Sequence, residues 1–218
     1  MTDLAFSVVD VVPERYAVSP HLMFRVRVTE SSGAAVHAIA LRCQLRIEPA
    51  RRQYAAGEAD SLLDLFGGRD RWNSTLKPFL WAETSAMVSG FTGETTFELP
   101  VACTYDFDVV AAKYLAALRG GEVPVVLLFS GTVFTRGSSG FGVERVPWHL
   151  EASYRLPVQV WRDLMDLYFP DSGWIRLQRD SLDALGRFKA SHGLTSWEQA
   201  VELLLDGAAE VPGGVIAS

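Results

Sequence analysis

Cysteine occurs only twice in the 218 residues, at Cys43 and Cys103. Two thiols cannot build a disulfide framework or a four-cysteine metal site, so packing must hold the fold together. Histidine is nearly as sparse, and His21, His37, His149 and His192 show no metal-ligand spacing. No apolar run reaches the roughly eighteen residues that a membrane-spanning helix needs. The start, Met1-Thr2-Asp3-Leu4, lacks the basic and long apolar regions of a secretory signal, so the expected compartment is the cytoplasm. Positive charge is short: 20 Lys and Arg against 26 Asp and Glu leave a formal net charge of −6. A field of that sign opposes anionic lipid and phosphate backbones, so no membrane partner is expected and nucleic acid is disfavoured. G-x-S-x-G, H-E-x-x-H, Walker and dinucleotide-binding motifs are also missing. The chain reads as a non-enzyme with no cofactor and no metal.

What is present is a core. Apolar residues make up 49% of the chain and aromatics 11%, enough for one sizeable hydrophobic interior. Residues 6–12 form a short β-rich run. Leu22, Phe24, Val26 and Val28 alternate with polar neighbours, and so do Ile39, Leu41, Cys43, Leu45 and Ile47. These two runs, joined through Ser31-Ser32-Gly33, predict a hairpin. A second hairpin is predicted from residues 79–88 and 95–103 around Gly90 and Gly93. Cys43 and Cys103 share the inward parity of their strands and read as buried thiols. Residues 123–134 are almost continuously apolar, the mark of a central strand covered on both faces. One further strand is predicted to turn Val146, Trp148, Leu150, Ala152, Tyr154 and Leu156 inward.

Helices are expected at three places before the C-terminal region. One spans 58–66, with Leu62, Leu65 and Phe66 inward and the carboxylates Glu58, Asp60 and Asp64 forming a solvated face. A second is capped by Asp106, its inner face Phe107, Val110, Ala111, Tyr114, Leu115 and Leu118. The third organises the rest: Val160, Trp161, Leu164, Met165 and Tyr168 form a stripe between Pro157 and Pro170, predicting a helix laid across a sheet. Beyond it come a short extended piece, 174–178, a helix capped by Asp180 with Leu182, Leu185 and Phe188 inward, and a helix opened by the capping box Thr195-Ser196-Trp197-Glu198. The last residues, 207–218, read as a flexible tail.

Candidate functional residues follow from residue type. Trp72, Trp81 and Trp174, in or near loops, and Arg71 beside Trp72 are candidate partner contacts, because Trp and Arg dominate interface energetics. Tryptophan at a core edge is the ordinary explanation for each. His149 and Glu151, two apart on one strand face, are the candidate acid–base pair if the chain is an enzyme; an exposed pair is the plainer reading. The Gly-rich stretch 136–142 lacks a Lys-Ser/Thr signature and reads as a hairpin tip.

Three resemblances add to this. Trp174-Ile175-Arg176-Leu177 followed by two helices resembles the ribbon-helix-helix unit of DNA-binding regulators, which implies base contacts from Arg176 and Gln178. Between Arg176 and Asp206, however, four Lys/Arg meet five Asp/Glu, the wrong balance for phosphate contact. Trp161-Arg162-Asp163-Leu164 through Phe169-Pro170 to Leu182-Asp183-Ala184-Leu185, with Phe6-Ser7-Val8-Val9, is similar to SecB-type export chaperones, which implies an antiparallel sheet and grooves for unfolded chains. The whole chain, notably Leu156-Pro157-Val158 to Leu177 and Leu194-Thr195-Ser196-Trp197-Glu198, resembles an uncharacterised actinobacterial domain-of-unknown-function family found with uptake [NiFe]-hydrogenase genes. That likeness implies an accessory or assembly role.

The combined expectation is an α+β fold: a largely antiparallel sheet of SecB-like or sandwich-like form, covered by helices, with a C-terminal helical hairpin. Residues 1–170 form the sheet core, 171–206 a strand-helix-helix unit and 207–218 the tail. The expected function is non-catalytic binding of another polypeptide, with hydrogenase subunits as candidate partners and a homo-oligomer open. A DNA-binding regulator and an enzyme using His149 and Glu151 are the alternatives.

Overall fold

The computed structural model describes residues 2–55, 57–104, 106, 109–137, 140–172 and 175–209. The chain divides into two units, Met1–Trp174 and Ile175–Ser218. In the first, alternation of apolar and polar side chains gives strands β1 (Leu4–Pro13), β2 (His21–Glu30) and β3 (Val36–Ile47). Three one-turn helices follow, α1 (Glu58–Ser61), α2 (Leu63–Phe66) and α3 (Trp72–Thr75). Then come β4 (Phe79–Phe91), β5 (Glu94–Ala102), α4 (Val110–Ala117), β6 (Glu122–Gly137), β7 (Gly140–Arg145), β8 (Glu151–Pro157) and α5 (Val158–Tyr168). The second unit holds α6 (Arg179–Ser191) and α7 (Trp197–Ala209).

The strands build two antiparallel sheets, one of order β1-β2-β5 and one in which β4, β3 and β6 are neighbours. One edge of β6 is shared: β8 pairs along residues 122–128 and β7 along 132–137. The sheets pack face to face. Phe6 of β1 stacks on Phe129 of β6 with ring centroids 4.2 Å apart, while Phe24 of β2 meets Trp81 of β4 and Tyr154 of β8 edge-on. Between them lies the core, including Leu22, Phe24, Val26, Ile39, Leu45, Leu99 and Leu127. The fold is α+β, its sheet portion a sandwich.

Both predicted hairpins are corrected by this pairing. β2 and β3 lie in opposite sheets, and so do β4 and β5. Alternation marks a strand with one buried face, but it reads the same whether the chain turns back within a sheet or steps across to the facing one. At the second crossing, Gly90 lets the chain pass close, since a Cβ there would come 2.7 Å from the His37 carbonyl. β4 and β5 are tied by a side chain, Thr84 Oγ1 donating to the Pro100 carbonyl at 2.7 Å.

The double coverage predicted for residues 123–134 holds over 123–127, which are buried throughout; beyond them it is corrected, since Ser130 is exposed and Thr132 half-buried on the open face of the sheet. The strand expected to hold Val146, Trp148 and Leu150 is instead divided. Val146 N–H bonds the Gly131 carbonyl and Leu150 N–H the Pro147 carbonyl, so 146–150 turn between β7 and β8. Pro147 cannot donate to a ladder, which is why the strand breaks there. Trp148, expected inside, is 90% exposed on that turn.

The predicted helix over 58–66 is two short helices broken at Leu62, whose φ of −100° and ψ of 2° leave the helical region. Leu62 and Phe66 are nonetheless buried. Asp106 does not cap α4; the N-cap is Val109, extended, and Val110 is exposed while Ala111, Ala112, Tyr114 and Leu115 turn inward. Phe107 lies outside the described residues. α5 matches its sequence: Pro157 is the N-cap, and Val158, Trp161, Leu164 and Met165 are buried. It rests against β1, β2, β8 and α4. The Tyr168 hydroxyl lies 3.0 and 2.9 Å from the Glu14 and Ala17 carbonyls, and the Arg162 guanidinium donates to the Leu118 carbonyl.

In the second unit the capping box is one residue later than predicted. Ser196 Oγ accepts from the Gln199 N–H at 3.2 Å, and Gln199 Oε1 accepts from the Ser196 N–H at 3.4 Å and from the Thr195 N–H at 2.9 Å. Gln199 fills the Glu/Gln position because Ser196, not Thr195, is the N-cap. α6 begins at Arg179 after Gln178, so Asp180 sits in the first turn rather than capping, where its charge favours the helix dipole. None of its residues is fully buried: Leu185 and Phe188 of the predicted inward face are half-buried, while Leu182 is 46% exposed. Among the described residues of this unit, Ala200 of α7 is the one buried side chain. α7 runs through Gly207 to Ala209, which corrects the predicted tail at 207–209; residues 210–218 lie outside the described set.

Candidate functional site

The five-stranded sheet exposes its outer face, and a depression of about 820 Å³ opens there. Register builds its floor. Met87, Ala40, Thr132 and Arg145 align across β4, β3, β6 and β7, and Ser85, Arg42 and Ser130 form the next row. Small side chains at Ala40, Thr132, Ser85 and Ser130 leave a trough. Met87, 68% exposed, stands at one side and Trp148, 90% exposed, rises beside Arg145 and Val146 at the other. Gly131 lies under the trough with φ +146°, its backbone so near β3 that a Cβ would fall 2.1 Å from the Ala40 carbonyl. No other residue fits that crossing.

A second cleft, of about 640 Å³, lies where the loop after β3 meets the turn between α4 and β6. It is lined by Arg51, Arg52, Arg119 and Arg155 together with Glu58, Gly120, Gly121 and Glu122. Its base is a buried ion pair. Arg52 Nη2 donates to Glu58 Oε1 at 2.9 Å, the two side chains being 5% and 1% exposed. Arg52 also donates to the Glu122 and Gly120 carbonyls at 2.7 and 2.6 Å. Glu58 receives the Arg119 and Ala55 N–H groups, each at 2.7 Å. Burial pushes the Glu58 carboxyl up, but those two amides and the Arg52 guanidinium outweigh it and hold it below its ordinary value. The expected solvated face is thus corrected at Glu58, which closes the α1 turn from inside; only Asp60 and Asp64 are exposed. Arg51 is held by Glu48 at 2.6 Å.

Deeper still, the Tyr54 hydroxyl lies 3.0 Å from that of Tyr114 and donates to the Pro49 carbonyl at 2.9 Å. Burial raises both phenols, so they stay protonated. It also pushes the Cys43 and Cys103 thiols up to about 12, leaving no thiolate at neutral pH. Among the described residues no group of three or more His, Cys, Asp or Glu could hold a metal ion.

Of the sequence-derived candidates in the first unit, Arg71, Trp72, Trp81, His149 and Glu151 line neither concavity. Trp72 is half-buried in α3: its Nε1 donates to the Gly67 carbonyl at 3.0 Å, its ring meets Tyr54 edge-on at 4.9 Å, and Arg69 lies 5.4 Å over it. Trp81 stands third in β4, not in a loop, and its indole borders Cys103, Leu115 and Trp161. Arg71 is exposed at the end of the turn before α3, its carbonyl accepting from Ser74 and Thr75. Trp174 lies outside the described residues. His149 and Glu151 are both exposed and share no strand face, because His149 precedes β8 and stacks edge-on with Trp148 at 5.9 Å. Arg176 and Gln178 are exposed, and residues 175–178 form no strand.

Residues 1–212 match a family of unknown function, DUF6084. The chain belongs to the DUF6084 family. No curated protein matches this DUF6084 chain. Solved structures similar to it include a β-glucosidase from Kluyveromyces marxianus, 10% identical over 71% of this chain and 15% of that one, with a TM-score of 0.27. AggA, the major subunit of aggregative adherence fimbriae type I from Escherichia coli, is 10% identical over 72% of this chain and 94% of its own, at 0.25. β-Glucosidase 3B from Thermotoga neapolitana is 14% identical over 71% of this chain and 17% of its own, also at 0.25. The DUF6084 chain spans about a sixth of each glucosidase's length.

Proposed function

We propose that this DUF6084 protein is a non-catalytic accessory factor of the cytoplasm that binds another polypeptide across the outer face of its five-stranded sheet. The observation that carries the reading is Met87 and Trp148, both largely exposed, flanking a trough of small side chains that also holds Arg42 and Arg145. Met adapts to irregular apolar surfaces, and Trp and Arg supply most interface energy. Two guanidiniums in the trough favour an acidic, partly apolar segment over a basic one. On this reading the partner surface lies away from Trp72 and Trp81, whose rings pack against the core edge. A subunit of a large enzyme under assembly, such as an uptake hydrogenase, is the proposed partner class.

The test is affinity purification from the native host with the full chain and with a Trp148→Ser/Arg145→Glu variant, each checked for an unchanged melting temperature. One polypeptide enriched by the native chain and lost from the variant supports the proposal. Equal recovery by both, or no polypeptide with either, overturns it.

A further inference from the structure

We propose that the arginine-lined cleft between the loop after β3 and the α4–β6 turn binds an organic phosphate monoester. Four guanidiniums line or enter it, and two are already matched: Arg51 by Glu48 at 2.6 Å and Arg52 by Glu58 at 2.9 Å. The guanidiniums of Arg119 and Arg155 have no hydrogen-bonding or ion-pairing partner among the described residues. On a chain of net charge −6, unmatched guanidiniums lining one cleft form a local positive site that a bound anion would neutralise.

The backbone is shaped to hold these forks. Gly57, at φ +83°, lies so close under Arg119 that a Cβ would fall 2.8 Å from Nη2 and 3.0 Å from Cζ. Gly121, at φ +74°, would bring a Cβ 3.3 Å from Arg52 Nη1. Two left-handed glycines therefore give the guanidiniums their space, and Gly120 faces open space beside them. Planar forks suit tetrahedral oxyanions, whose several oxygens accept from more than one guanidinium at once; a carboxylate offers two oxygens in one plane.

The organic part of the ligand follows from what adjoins the cleft. Arg51 and Arg155 also border a smaller hollow of about 240 Å³, lined by Pro124, Val125, Val126, Ser153 and Tyr154. A phosphate group held by the arginines would lay its ester substituent against Pro124 and Val126, with the Ser153 side available for a polar substituent. Glu122 at the cleft wall disfavours ligands carrying further negative charge on that side.

Calorimetric titration of the full chain with phenyl phosphate, inorganic phosphate and sodium chloride tests the site. Saturable binding of phenyl phosphate, several-fold tighter than inorganic phosphate and absent with chloride, supports it. Arg119→Gln and Arg155→Gln are each expected to weaken binding about tenfold, and added salt to weaken it further, with the melting temperature unchanged. Flotation with vesicles containing phosphatidic acid separates the two sources of such a group: binding in solution alone assigns a soluble monoester, and binding to vesicles as well assigns a lipid headgroup. No saturable heat up to about 10 mM ligand, a weaker affinity than any of these contacts should give, overturns the proposal. So does phenyl phosphate binding that both arginine variants retain.

Discussion

At the residue scale, the side chain that does most is Glu58, which joins the loop after β3, the α1 turn and the end of α4 through one carboxylate. Removing one member of a buried ion pair strands the other in a poorly solvating site. Glu58→Gln is therefore expected to destabilise the chain by about 3 kcal/mol, read as a lower denaturant midpoint at constant slope. Arg52→Met combined with Glu58→Gln should recover part of that loss; a double variant as weak as the sum of the singles would refute the pairing. Glu30 contributes to acid behaviour. The Ser32 hydroxyl and the Asp3 N–H lower its carboxyl from 4.5 to about 2, tying the start of β1 to the end of β2. A depressed carboxyl contributes stability that is complete above its unfolded value and lost as pH falls through the folded one. Unfolding followed from pH 5 to pH 2 should show a destabilising limb that Glu30→Gln flattens, and an unchanged limb would remove Glu30 from the account. Glu58 could be read only as exposed from the sequence. Parity places a carboxylate on a face, but the partner that buries it came from Arg52, six residues earlier on an irregular loop.

At the element scale, the strands were legible and their partners were not. The alternation of Leu22 to Val28 and of Ile39 to Ile47 identifies which side chains face the core, and they do. It carries no information on which sheet each strand joins, because both inner faces of a sandwich demand the same pattern. α5 was legible because Pro157 and Pro170 bracket it and Trp161, Leu164 and Met165 of its stripe are buried, although Val158, outside the stripe, is buried and Val160 only half so. Trp148 was misread because Pro147 ended the strand while the apolar spacing continued past it. Gly131 tests how the middle strand of the larger sheet is fitted. Its φ of +146° and the nearby Ala40 carbonyl leave no room for a methyl group, so Gly131→Ala should cost about 2 kcal/mol or more and disturb the trough above it. The measurement is thermal unfolding alongside the partner capture used for Trp148. A variant with native stability would mean that β6 shifts freely against β3, and the trough would then be no fixed surface.

At the scale of the whole molecule, core and tail obey different physics. Every side chain of the hydrophobic core cluster lies between Leu4 and Phe169, so the sandwich with α4 and α5 carries its own interior. The second unit has Ala200 as its buried side chain, while Leu182, Trp197, Val201, Leu204 and Leu205 are each at least 40% exposed. Two helices of 13 residues with so little buried area sit at the margin of independent stability. A chain ending at Ser172 should therefore unfold cooperatively with nearly the denaturant midpoint of the full chain. A peptide of residues 175–209 should show partial helicity that melts broadly, and Ser196→Ala should lower it further by removing the cap, at a cost of about 1 kcal/mol. Circular dichroism on the two pieces decides the matter. If the shortened chain fails to fold, or melts far below the full one, the helical pair is a structural part of the sandwich. If it folds, the arginine cleft and the sheet-face trough, which both lie wholly before Ser172, should keep their ligands in the shortened chain.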